Sequence, residues 1–220
     1  MEFKEKAYVV FGGTGSIGGA IAKQLESLGA RVSKGSRVND VVKESYVRAF
    51  LGDKRFDGAV YAVGRCPPKG FDDAIQNPLS ALPIELFARE LEMHMKGLFV
   101  VFQELLPRLN LCAPFLVVSS AITRLTDETC PPWLYSGHYA SAKAGQDELV
   151  RWMRRDSIVR NKKILIHRLA FGAVATAFYE ECIRRPPAML PLEEAVREAI
   201  EALKSSVVVD NVVVASPPRN

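Results

Sequence analysis

The 220-residue sequence predicts an α/β fold, a doubly wound parallel sheet of about seven strands flanked by helices on both faces. Three observations carry this expectation. Continuous apolar runs alternate with helical periods along the whole chain. The first of those runs stops in a glycine-rich turn that opens a helix. No internal repeat or low-complexity linker divides the sequence, and its paired prolines at 67–68, 131–132, 186–187 and 217–218 read as loop punctuation. One domain over residues 1–220 is therefore expected.

Taken in order, Ala7–Phe11 is an unbroken apolar run ending at Gly12, as in a strand buried on both faces. Ile17, Ile21, Leu25 and Leu28 then recur at helical spacing, and Gly29 supplies a stop. Arg31–Ser33 reads as a short second strand, Ser45–Leu51 as a helix and Gly58–Val63 as a strand. Ile84–Leu106 forms one long helix ending before Pro107, followed by a strand at Phe115–Ser119. Tyr139–Arg155 is helical, Ile164–Leu169 a strand, Pro191–Lys204 a helix and Val212–Ala215 a last strand. Such alternation implies right-handed crossovers, with ligands at the carboxyl ends of the strands.

Composition narrows the function. Hydrophobic residues make up 48% and charged residues 25%, with a net charge of +4, an ordinary globular balance that does not suggest a nucleic-acid binder. The basic run Arg151, Arg154, Arg155, Arg160, Lys162, Lys163 reads as a solvated helix face and its exit loop. Cys66, Cys112, Cys130 and Cys182 are far apart and form no C-x-x-C, so neither a metal site nor a disulfide framework is expected. No apolar stretch approaches the ~20 residues of a membrane span, and the start has no signal segment. These features point to a cytoplasmic protein with no membrane partner.

The turn after the first strand reads Gly12-Gly13-Thr14-Gly15-Ser16-Ile17-Gly18. Glycines permit the tight turn and a close approach of phosphate to the backbone, and the helix start offers free N–H groups to a pyrophosphate. This is a Rossmann-like dinucleotide signature. After the second strand, the segment Lys34-Gly35-Ser36-Arg37 has no acid before Asp40. Ser36 and Arg37 suit a 2′-phosphate, which favours NADP(H) over NAD.

Tyr139-Ala140-Ser141-Ala142-Lys143 places a phenol and an ammonium four residues apart on one helix face. A nearby cation favours the phenolate, so such a tyrosine can exchange a proton with a carbonyl or alcohol oxygen. A Y-x-x-x-K match alone is weak. Here it follows a strand ending in Ser119-Ser120, and a serine there can hydrogen-bond the same oxygen.

Together these motifs, with Ala62-Val63-Gly64 and a Gly-x-Val-x-Thr at 172–176, resemble the short-chain dehydrogenase/reductase family from about residue 5 to 215. The resemblance implies a catalytic set of Ser120, Tyr139 and Lys143. Cofactor contacts would come from Gly12, Thr14, Gly15, Ser16 and Ile17 at the turn, and from Ser36 and Arg37. Asp40 and Val41 would meet the adenine after a third strand, Ala62, Val63 and Gly64 would pass the ribose, and Tyr139 and Lys143 would hold the nicotinamide ribose. Gly172, Val174 and Thr176 would hold the nicotinamide amide.

The sequence also departs from the family. Tyr61-Ala62 replaces Asn-Asn, Phe171 replaces a proline, and His94 stands where an asparagine helps hold a proton-relay water, a catalytic role that a histidine can also fill. The stretch from Arg37 to Asp40 is too short for the usual helix, which implies a crossover reduced to a loop. Ser120 and Tyr139 lie 19 residues apart, more than is usual, and the intervening segment carries Pro131, Pro132, Trp133, Leu134, Tyr135 and His138. With Phe178 and Tyr179 these imply an open pocket with aromatic walls and an aromatic or apolar substrate.

The expected activity is an NADPH-dependent carbonyl reductase or alcohol dehydrogenase acting on a small molecule. Two other readings stay open: a cofactor-binding sensor without turnover, and an epimerase or dehydratase. By analogy with the family, pairing through the two long helices would give a homodimer or homotetramer.

Overall fold

The computed structural model describes residues 2–35, 40–64, 79–126, 128, 137–176 and 188–215. The chain elements run β1 (Ala7–Phe11), α1 (Ser16–Ser27), β2 (Arg31–Gly35), α2 (Glu44–Leu51), β3 (Gly58–Tyr61) and α3 (Ile84–Leu91), then a π turn (Glu92–Lys96) and α4 (Gly97–Leu105). They continue through β4 (Pro114–Ser120), α5 (Gly137–Met153), α6 (Ser157–Lys162), β5 (Leu165–Phe171), α7 (Leu192–Lys204) and β6 (Asp210–Val213).

All six strands are parallel, in the order β2-β1-β3-β4-β5-β6. The sheet has six strands rather than seven. The difference lies beyond β2, the edge strand, where four residues separate Gly35 from Asp40 and leave no room for a further helix and strand. Asp40 and Val41 therefore do not follow a third strand. Val41 instead packs into the core, where a Cβ on Gly97 would lie 2.9 Å from its Cγ2.

Alternate strand residues feed two cores. Val9, Phe11, Tyr61, Phe115, Val117 and Ile166 pack with Val47, Leu98, Val101, Leu105 and Val150 on one face. Val10, Val60, Leu116 and Leu169 pack with Ile21, Leu25, Ala199 and Leu203 on the other. A strand covered on both faces needs apolar residues at every position, which is why these strands read as continuous runs.

The helix expected over 84–106 is interrupted by the π turn. Tyr61 is buried at the end of β3, and its hydroxyl donates to the Met93 carbonyl at 2.7 Å. A Cβ on Gly97 would lie 2.8 Å from that hydroxyl, so glycine makes room for the phenol beside the widened turn.

Helix α6 lies in what the sequence suggested was an exit loop. Asp156 caps it, its Oδ1 accepting from Ile158 N at 2.7 Å, and Lys163 ends it with φ +54°. Arg151, Arg155, Arg160 and Lys163 of the basic run are exposed as expected, while Arg154 and Lys162 are half-buried. Lys162 Nζ donates to the carbonyls of Leu106, Pro107 and Leu109, and Arg154 Nε to the Ile166 carbonyl.

Candidate active site

The glycine turn is held by backbone geometry that excludes side chains. Gly12 has φ +79°, and a Cβ there would lie 2.5 Å from the Ala62 carbonyl oxygen. A Cβ on Gly18 would lie 2.3 Å from the Gly12 carbonyl oxygen. Gly12 N and Gly13 N both donate to the Gly35 carbonyl, tying the turn to the end of β2. Gly15 is the N-cap of α1 and offers no side-chain cap, so Ser16 and Ile17 begin the helix with their N–H groups facing the carboxyl end of the sheet.

Thr14 is engaged by a neighbour. Ala62, Val63 and Gly64 leave β3 alongside the turn, with Ala62 N donating to the Phe11 carbonyl. A side chain at Gly64 would meet nothing within 4 Å. Lys34 is paired with Glu26 at 2.9 Å, while Ser36 and Arg37 lie outside the described residues.

The second half of the site lies where β4 ends. Helix α5 lays Tyr139, Lys143, Gln146 and Asp147 along one face by its 3.6-residue period. Lys143 is buried; its Nζ donates to the Val118 carbonyl at 3.1 Å and to Gln146 Oε1 at 2.9 Å. Gln146 Nε2 donates to the same carbonyl. Burial lowers the Lys143 pKa to about 8, partly offset by Asp147 and Glu90. Its Nζ lies 5.9 Å from the centroid of the Tyr139 ring. Ser120 Oγ accepts from Ile122 N at 3.3 Å, capping the short 3-10 helix Ala121–Arg124. This acceptor role leaves the serine proton for another oxygen.

His94, in the π turn, meets the Tyr139 ring edge to face with centroids 5.5 Å apart. It is wholly buried. Glu90 Oε2 comes within 3.2 Å of His94 Nε2, a contact that favours the protonated ring. Burial, then the Lys143 charge, lowers the His94 pKa to about 4, so the ring is neutral near pH 7.

Comparison of the whole structure with solved ones identifies the architecture. A short-chain dehydrogenase/reductase from Serratia marcescens superposes with a TM-score of 0.76 at 18% identity, covering 97% of this chain and 98% of that one. A small-chain dehydrogenase in complex with NADPH gives 0.76 at 17%, covering 95% and 97%. BdcA in complex with NADPH gives 0.79 at 14%, covering 98% and 95%. The chain has the short-chain dehydrogenase/reductase fold. No family model and no curated protein sequence matches it.

Within the short-chain dehydrogenase/reductase fold, Tyr139, Lys143 and His94 meet as one cluster, and Ser120 is the last residue of β4. At the far end of β5, Gly172 N donates to the Val213 carbonyl, and Val174 bridges to Leu190. Ala175 N and Leu190 N bind across the same loop, fixing the approach to Thr176. The aromatic segments around Trp133 and Phe178–Tyr179 lie outside the described residues, as do Cys66, Cys130 and Cys182. Among the described residues no His, Cys, Asp and Glu cluster could hold a metal, and no helix is long and apolar enough to cross a membrane.

Sequence reasoning missed a polar network behind the serines. Ser119 Oγ donates to Asp147 Oδ1 at 2.5 Å, and Thr123 Oγ1 donates to Asp147 Oδ2 at 3.1 Å. Arg168, buried in β5, donates to Asp147 Oδ2 at 2.9 Å and to Asp210 Oδ1 at 2.7 Å. The signal was available: an arginine inside the apolar run Ile164–Leu169 must find buried acids, and Asp147 lies one turn beyond Lys143 on the same face.

Proposed function

We propose that the chain is an NADPH-dependent oxidoreductase of the short-chain dehydrogenase/reductase family, interconverting a carbonyl and an alcohol on a small molecule. The observation that carries this reading is the burial of the Lys143 ammonium 5.9 Å from the Tyr139 ring at the carboxyl end of β4. A buried cation beside a phenol favours the phenolate, which is the property a proton-exchanging tyrosine needs.

The turn residues fit a dinucleotide. The cradle at Gly12 and Gly18 admits no Cβ, and the uncapped start of α1 carries a positive dipole end. Gly12, Thr14, Gly15, Ser16 and Ile17 would hold the pyrophosphate, Ala62, Val63 and Gly64 the adenosine side, and Gly172, Val174 and Thr176 the nicotinamide side. Asp40, next to the core-packed Val41, would be the adenine neighbour. With Lys34 engaged by Glu26, preference for the 2′-phosphate falls to Ser36 and Arg37. When bound, the nicotinamide supplies or accepts the hydride.

The chain's own groups handle the oxygen. Tyr139 gives its proton to the carbonyl oxygen in reduction and recovers it in oxidation. Ser120 donates to that oxygen and polarises the bond. Lys143 holds the phenol toward its ionised form and holds the ribose. A single domain acting as a cytoplasmic homodimer or homotetramer completes the reading.

Fluorescence titration with NADPH and NADH, followed by absorbance at the reduced-nicotinamide band with ketones and aldehydes, tests it. Tighter binding of NADPH with turnover is the expected result. Tight binding without turnover would favour a sensor or an epimerase, and no binding of either nucleotide would end the cofactor assignment.

A further inference from the structure

Carbonyl reduction by this site needs two donors on one oxygen, Tyr139 to give a proton and Ser120 to polarise the bond. They lie 19 residues apart, so the chain between them does not fix their spacing. Helix α5 carries Tyr139 in its first turn and reaches three successive residues at the end of β4. The Val118 carbonyl accepts from Lys143 Nζ and Gln146 Nε2, both at 3.1 Å. The Ser119 hydroxyl donates to Asp147 Oδ1 at 2.5 Å. The Thr123 hydroxyl lies 3.1 Å from Asp147 Oδ2 and 3.0 Å from the Ser120 carbonyl oxygen, and shares its one proton between them.

We propose that Asp147 is a positioning residue, which places the Ser120 hydroxyl on the substrate oxygen by holding Ser119 and Thr123 on either side of it. The inference rests on the reductase reading and adds to it a residue outside the Ser-Ser and Tyr-x-x-x-Lys motifs. Asp147 is itself fixed: Arg168, only 3% exposed, donates to its Oδ2 at 2.9 Å and is held in turn by Asp210. With hydrogen bonds from β4, from the Ala121–Arg124 turn and from β5, the carboxylate has little freedom to move, and neither does the serine between its partners. Ser120 Oγ accepts from Ile122 N, so its own proton stays available to the substrate.

Asp147 also acts on the lysine one turn away. Burial lowers the Lys143 pKa, and the Asp147 charge partly offsets it. A test of the effect on Ser120 therefore needs a variant that leaves that charge in place. Ser119→Ala with Thr123→Val does so, because it removes both hydroxyls and keeps the Asp147–Arg168 pair.

This double variant and Asp147→Ala are compared with the wild type, using NADPH with benzaldehyde, acetophenone and cyclohexanone as carbonyl probes. The double variant is also made with Ser120→Ala. It is expected to lose about 10-fold in kcat, with NADPH affinity and the pH dependence of kcat unchanged, and Asp147→Ala should lose at least as much. With Ser120→Ala already present, the double variant should cost nothing further, because the group it positions is gone. Wild-type kcat in the double variant or in Asp147→Ala, or an equal loss with and without Ser120, overturns the positioning role alone. Undiminished kcat in Ser120→Ala removes that serine from the reading and this inference with it. A wild type that binds NADPH but reduces none of the probes overturns the reductase reading itself.

Discussion

The Tyr61 hydroxyl donates to the Met93 carbonyl at 2.7 Å, joining the end of β3 to the π turn that presents His94 to Tyr139. Tyr61→Phe keeps the ring and removes the donor, leaving a buried carbonyl without its partner. A loss of about 1–3 kcal/mol in unfolding free energy is expected, read from urea denaturation midpoints.

The glycine turn makes a sharper prediction because two of its positions exclude a Cβ. Gly18→Ala pushes a methyl group into the Gly12 carbonyl and is expected to cost about 1–3 kcal/mol and to weaken NADPH binding. Gly64→Ala meets no protein atom and should leave stability unchanged. Thermal melts and nucleotide titrations of the two variants separate these outcomes.

Arg168 is a buried guanidinium shared between Asp147 and Asp210. Arg168→Leu removes the cation but leaves Asp147 without its Arg168 partner beside Ser119 and Thr123, and a destabilisation of about 3–5 kcal/mol is expected. Asp147→Leu placed on top of Arg168→Leu should recover part of that loss, because the stranded charge goes with it. A double-mutant cycle of unfolding free energies reads the recovery.

Acid should destabilise the fold through two histidines. Burial lowers the pKa of His94 and of His167 to about 4, and His167 Nδ1 accepts from Val209 N at 3.0 Å, a bond that protonation at Nδ1 would break. Above about pH 6.5 both rings are neutral in folded and unfolded chains, and the full stability is present. As pH falls from 6.5 toward 4 the unfolded chain binds protons that the folded chain refuses, so stability is lost across that window. Urea midpoints at successive pH values should fall there, and His167→Gln should flatten the slope.

Much of the fold was legible because burial on both faces of a parallel sheet turns each strand into an unbroken apolar run, as in Ala7–Phe11 and Gly58–Tyr61. The last strand was displaced by two residues, to Asp210–Val213, because its position follows the Asp210–Arg168 pairing across β5 rather than its own valines. The π turn could not be read locally, since its partner Tyr61 lies on a distant strand. The site was legible where chemistry is local: the glycines of one turn, or Tyr139 and Lys143 on one helix face. Asp147 and Arg168 act through partners that only the fold brings near.

The most direct measurement is NADPH oxidation with a reducible carbonyl by the wild type and by Tyr139→Phe, with binding of NADPH followed in parallel. Loss of turnover by a factor of about 100 or more in Tyr139→Phe, with nucleotide binding preserved, is the predicted result. Undiminished turnover in Tyr139→Phe would contradict the assignment of the proton step to Tyr139 beside Lys143.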